Sequence, residues 1–177
     1  MIDPVIAGHK AAKTALRRYA EPAGGQVMGM AVNTTRINAS RARTFAVLSD
    51  GWLYSNWVVG TSHMRAVEAD WPAEGSRLFH ASGVWPIAMR DDTIVEEMEP
   101  DRRLVLLARG RPFGEARIVI ELEDDGDGTR VTMHETPVKG PGQWLHNPLS
   151  EALLVRRNTE TLDRLTALVE RHTTPAE

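Results

Sequence analysis

The stretch from 103 to 136 constrains the fold most, because two turns fix how its three apolar runs pair. A turn at 110–113 that pairs Arg109 with Glu115 sets Ala108 opposite Ala116, Leu106 opposite Ile118 and Leu104 opposite Ile120. A second turn at 124–128 that pairs Glu123 with Arg130 sets Leu122 beside Val131, Ile120 beside Met133 and Ile118 beside Glu135. Side chains alternate across a strand, so a slip of one residue would send this whole set to the opposite face. Three antiparallel strands with one apolar face are therefore expected, and Glu135 is the residue that interrupts the face.

An apolar face needs a cover, and the C-terminal segment supplies one. A helix is expected from Pro148, a residue suited to the first helical turn, to about Arg171. At helical spacing Leu154, Asn158, Thr161, Leu162, Leu165, Leu168 and Val169 share one side, and Arg156, Arg157, Glu160, Asp163, Arg164 and Arg171 fall on the other. The stripe is expected to pack on the sheet face.

Upstream, short apolar runs alternate with turn signals. A strand over 32–39 leads to an N-cap at Ser40 and a helix through Leu48, stopped by Ser49, Asp50 and Gly51. Trp52, Tyr54 and Trp57 crowd the segment after it. Strands at 61–69, 76–84, 88–98 and 103–109, with those at 114–123 and 129–136, bring the number to seven. Connections this short imply antiparallel neighbours, giving an α+β fold of seven-stranded sheet and long C-terminal helix. Residues 4–20 are compatible with a short helix and 21–25 read as a breaker. Residues 1–30 are thus expected to be an extension, helical or flexible, ahead of one domain at 31–172, with 173–177 a disordered tail.

Composition narrows the function classes. With 42% hydrophobic and 25% charged residues, the 177-residue chain is expected to pack a core that removes about two-thirds of its unfolded surface from water. A net charge of −3 without a basic, aromatic-interleaved patch argues against nucleic acid as partner. The absence of cysteine excludes disulfides, thiolate zinc sites and cysteine nucleophiles. No run approaches the ~20 apolar residues of a membrane span. Val5, Ile6 and Ala7 are interrupted by Gly8, His9 and Lys10 before a secretory core forms, so a cytoplasmic protein without membrane insertion is expected.

Several pieces resemble one superfamily in order and spacing. Ile37-Asn38-Ala39-Ser40 running into Thr44-Phe45-Ala46-Val47-Leu48-Ser49-Asp50 is similar to its opening strand and helix. Trp52-Leu53-Tyr54-Ser55-Asn56-Trp57-Val58 resembles the aromatic segment that follows. Met98-Glu99-Pro100-Asp101-Arg102-Arg103-Leu104 resembles the tight turn between central strands, and Gly128-Thr129-Arg130-Val131-Thr132 the start of the last strand. Over about 31–172 the chain resembles the START-like (SRPBCC) superfamily of polyketide cyclase/dehydrase and lipid-transport proteins. The resemblance implies a helix-grip fold in which a curved sheet grips the last helix around an internal apolar cavity. Relatives carry lipids, sterols, polyketides or hormones there, and some are aromatases or cyclases. The superfamily has no universal catalytic motif, so none is transferred.

Candidate residues follow from these faces. Glu135, a carboxylate on the face that meets the helix, would act there as acid, base or anchor; the alternative is a strand-end Glu in solvent or paired with an Arg. Asn158 needs a polar partner within the helix stripe, either a ligand oxygen or a protein group. His80 and Ser82 share one face of the strand at 76–84 and Phe79 and Ala81 the other, and the pattern does not decide which is interior. An interior His80 would orient a carbonyl or exchange a proton. Trp57, Trp85 and Trp144 stand in loops that the resemblance places around the cavity. Leu106, Ile118, Ile120, Met133 and Leu162 complete the expected ligand-binding set. The six histidines lack zinc spacing, and no phosphate loop or nucleophile elbow is present, so no metal or cofactor is expected. Asp91-Asp92 and Glu96-Glu97 read as solvated strand edges. The sequence thus supports three readings: binding or carriage of an apolar small molecule, a cyclase/aromatase-type enzyme using Glu135 or His80, or an interaction module docking through residues 1–30. The partner expected is a small hydrophobic ligand and the assembly a monomer or homodimer.

Overall fold

The computed structural model describes residues 31–84, 87–110, 114–140 and 148–171. The expected extension at 1–30, the tail at 173–177, Trp85 and Trp144 lie outside the described residues.

β1 (Ala31–Ile37) leads through the Ser40 N-cap into α1 (Arg41–Ser49). The Ser40 hydroxyl accepts from the Arg43 N–H, and Thr44, Phe45, Val47 and Leu48 are buried. The Asp50 carboxylate then accepts from the Trp52 N–H and starts a 3-10 turn, Gly51–Leu53, which runs straight into a single helical turn, α2 (Tyr54–Trp57). The aromatic crowd is thus a compact double turn with Tyr54 and Trp57 buried.

Six strands follow: β2 (Thr61–Val67), β3 (Arg77–Val84), β4 (Ile87–Glu99), β5 (Arg103–Gly110), β6 (Gly114–Asp125) and β7 (Gly128–Lys139). They form one antiparallel sheet in the order β1-β7-β6-β5-β4-β3-β2, in which β1 reaches across to the far strand β7. The β5/β6/β7 register is the one that the alternation predicts, with Leu106 opposite Ile118, Ile120 opposite Met133 and Ile118 opposite Glu135.

Register shifts in β2/β3, β4/β5 and β6/β7 supply the bends that let the sheet curve. In β4 the shift falls at Glu96, which leaves Val95 and Met98 both facing the core although three residues apart. The concave face closes on α3 (Pro148–Arg171), whose Leu162, Leu165 and Val169 are buried against Leu104, Leu106, Ile120, Leu122, Val131 and Met133. No described helix is long and apolar enough to cross a membrane.

The acidic pairs of β4 correct the sequence reading. β4 is an interior strand, between β3 and β5, so its faces and not its edges decide their fate. Asp91 points to the concave side and is buried, while Asp92 faces outward and accepts from Arg109. Glu96 and Glu97 are held on the convex side by Arg117 and Arg103.

Candidate functional site

Two polar groups are set into the concave face. The first is built around Tyr54. The 3-10 turn delivers its ring onto β3 and β4, edge-on to Trp57 with centroids 5.3 Å apart and 5.4 Å from the His80 ring. Strand pairing sets His80 opposite Asp91 and Leu78 opposite Thr93, so His80, Asp91 and Thr93 share the concave face. This settles the face left open by the sequence: His80 and Ser82 lie on the concave side, His80 buried and Ser82 half-buried. Tyr54 Oη lies 3.2 Å from Thr93 Oγ1, which lies 3.2 Å from His80 Nε2, and His80 Nδ1 lies 3.2 Å from Ser82 Oγ. Burial pushes the Tyr54 phenol up to about 12, against the Thr93 hydrogen bond and the Arg157 charge, with Glu135 adding to the rise. Burial also holds His80 below its ordinary value; Asp91 and Asp92 oppose this and Arg65 reinforces it. At neutral pH both groups are uncharged.

The second group joins β7 to α3. Glu135 is buried on the concave face and accepts a hydrogen bond from Arg157 Nη2. Arg157 also donates to Asn158 Oδ1, from Nε at 3.2 Å and from Nη2 at 3.0 Å. Those two bonds fix the amide orientation, because a flipped Asn158 would turn donors toward a guanidinium. Asn158 is fully buried, and its Nδ2 has no partner among the described residues. Arg157 corrects the helix reading: assigned to the solvent side, it is 40% exposed and its guanidinium bends back over the sheet. Thr161 Oγ1 accepts from the Val59 N–H, a structural role that ties the segment after α2 to the helix. Asn33 on β1 donates from Nδ2 to the Val155 carbonyl and to Thr159 Oγ1, docking the edge strand on α3.

The structure thus brings together Trp57, Leu106, Ile120, Met133, Glu135, Asn158 and Leu162 as buried residues, with Ile118 packed partly buried against them. Trp57 ends α2 rather than standing in a loop, and its Nε1 is buried without a partner among the described residues. Sequence reasoning missed Tyr54, Asp91, Thr93 and Arg157. Asp91, Thr93 and Val95 alternate along one strand face, a signal available in principle. Tyr54 carried none beyond its neighbourhood of tryptophans. Among the described residues no group of three or more potential ligands is arranged to hold a metal ion.

The family model for polyketide cyclase / dehydrase and lipid transport matches residues 28–170. The chain belongs to this family. Solved structures agree on the fold. A START superfamily protein from Mycobacterium smegmatis superposes with a TM-score of 0.65 at 17% identity, covering 81% of this chain and 99% of that one. A protein from Mesorhizobium loti gives 0.63 at 18% identity over 82% of this chain and 100% of its own. DynU16, a putative protein in the dynemicin biosynthetic locus, gives 0.60 at 18% identity over 80% of this chain and 47% of its own. No protein of curated function matches the chain.

Proposed function

We propose that this protein binds and carries an apolar small molecule, a lipid, polyketide or other aromatic or polycyclic compound, between the concave face of its sheet and α3. The observation that carries the reading is a pair of unmatched donors at the edge of the apolar core. Asn158 Nδ2 and Trp57 Nε1 are buried donors with no partner among the described residues. A buried donor left unmade costs about 1–3 kcal/mol, so such groups are rare unless something else satisfies them. A ligand acceptor would do so, while its apolar body gains about 25 cal/mol per Å² removed from water. The lipid-transport description of the family supports the same reading. Native mass spectrometry of protein purified without detergent is expected to retain a bound species, and a panel of lipids and polycyclic aromatics to raise Tm. An empty protein that no member of the panel stabilises would sink the proposal.

An enzymatic reading of the cyclase/aromatase type is favoured by the interior position of His80, hydrogen-bonded within a chain of groups that exchange protons. It requires that Glu135→Gln or His80→Gln slow turnover of a substrate found in the binding panel; two fully active variants would remove it.

A further inference from the structure

Ser82, His80, Thr93 and Tyr54 form a linear hydrogen-bonded chain whose members can each donate or accept. Thr93 has a single hydroxyl proton and stands between two partners; with that proton used inside the chain, it donates to one and accepts from the other. A neutral imidazole carries one N–H. The chain therefore has two coherent orderings. In the first, Tyr54 donates to Thr93, Thr93 to His80 Nε2, and His80 Nδ1 to Ser82. In the second every bond is reversed, His80 carries its hydrogen on Nε2, and the Tyr54 hydroxyl is released to donate elsewhere. The proton count is the same in both; the imidazole hydrogen changes nitrogen by exchange with water, to which the half-buried Ser82 end is closest.

We propose that Tyr54 is the anchor for the carbonyl oxygen of a neutral apolar ligand, and that occupancy of this anchor is transmitted through Thr93 to the tautomer of His80. The inference rests on the binding function proposed above and names the ligand class. A buried phenol does not leave its O–H unused, so the empty protein holds the first ordering. An acceptor at Tyr54 permits the second. The ligand is neutral because the guanidinium that bends over this face, that of Arg157, is already committed to Glu135 and Asn158. Glu135 and Asp91 put two buried carboxylates on the same concave face, which an anionic head group would meet. A ketone or ester needs only donors, and Trp57 Nε1 and Asn158 Nδ2 add two to that of Tyr54.

Three naphthalenes of matched size separate the possibilities: acetonaphthone, ethylnaphthalene and naphthoate. The wild-type protein is expected to bind the ketone about tenfold more tightly than the hydrocarbon, the worth of one good hydrogen bond, and the carboxylate most weakly. Tyr54→Phe is expected to lower ketone affinity severalfold relative to ethylnaphthalene affinity. Histidine nitrogen NMR, with His80 assigned by its loss in His80→Gln, is expected to show the imidazole hydrogen move from Nδ1 to Nε2 as the ketone saturates. Thr93→Val is expected to keep the ketone preference and lose the tautomer change, a result that holds the proposal open to test even if Tyr54→Phe fails to fold. Equal affinity for ketone and hydrocarbon, tighter naphthoate binding or an unmoved tautomer overturns the proposal and leaves the apolar-ligand reading standing. Binding of none of the three overturns this proposal, and the apolar-ligand reading falls with it only if the purified protein is also empty and no lipid or polycyclic of the wider panel raises Tm.

Discussion

A carboxylate on an apolar face is stable only with a counter-charge or strong donors, and for Glu135 both come from Arg157. Removing the guanidinium would leave the buried carboxylate uncompensated. Arg157→Met is therefore expected to destabilise the fold by about 2 kcal/mol, the value for a buried pair reduced for the 40% exposure of Arg157. Glu135→Gln is expected to cost less, since an amide oxygen still accepts from the guanidinium. Urea unfolding of both variants and of the double variant checks this; a double variant no better than the sum of the singles would show that the pair does not couple. The inward direction of Glu135 was legible, because period-two alternation allows a strand residue just two faces. Its partner was not. Arg157 follows Arg156 on the polar side of the helix, and only a side chain long enough to reach back across the helix edge makes the contact.

At the scale of elements, β6 begins in a position that tolerates no side chain. Gly114 has φ +118, and a Cβ there would stand 1.8 Å from the carbonyl oxygen of Lys139 at the end of β7. Gly114→Ala is expected to lower stability by about 2 kcal/mol or more through displacement of that backbone, measured as a fall in Tm, whereas alanine at Gly110, whose Cβ meets nothing within 4 Å among the described residues, should cost far less. The hairpins themselves were readable from turns and alternation. What alternation could not give is the phase of β4, where the irregularity at Glu96 puts Val95 and Met98 on one face. Nor could it separate Asp91 from Asp92, because the fate of each depends on the strands flanking β4. α3 was read nearly residue for residue, since a one-sided apolar stripe along a 24-residue helix has a single way to be buried.

For the whole molecule, two groups make stability depend on pH in the same direction. His80 is held below its ordinary value of 6.5, first by burial. Glu121 on the convex face is held below 4.5. His134 Nε2, 3.5 Å away at the outer limit of a hydrogen bond, is the leading cause; burial opposes it and Arg103 reinforces it. In both cases the unfolded chain binds more protons than the folded one, so stability rises with pH. The His80 contribution is complete above about pH 7 and is lost as pH falls from 6.5 toward its folded value; that of Glu121 is lost only below 4.5, as pH falls toward its own folded value. Urea midpoints measured from neutral to acid pH are expected to fall in two steps, and His80→Gln to remove the upper one. An upper step that persists in that variant would assign it elsewhere. The sequence alone determined the strand pairing of β5 to β7, the apolar stripe of α3 and the face of Glu135, because these follow from local periodicity and short turns. The tertiary structure alone decided that Tyr54, Thr93 and His80 form one hydrogen-bonded chain and that Arg157 meets Glu135. Those contacts join residues far apart in the chain, and the curvature of the sheet, which no single segment encodes, sets the distance between them.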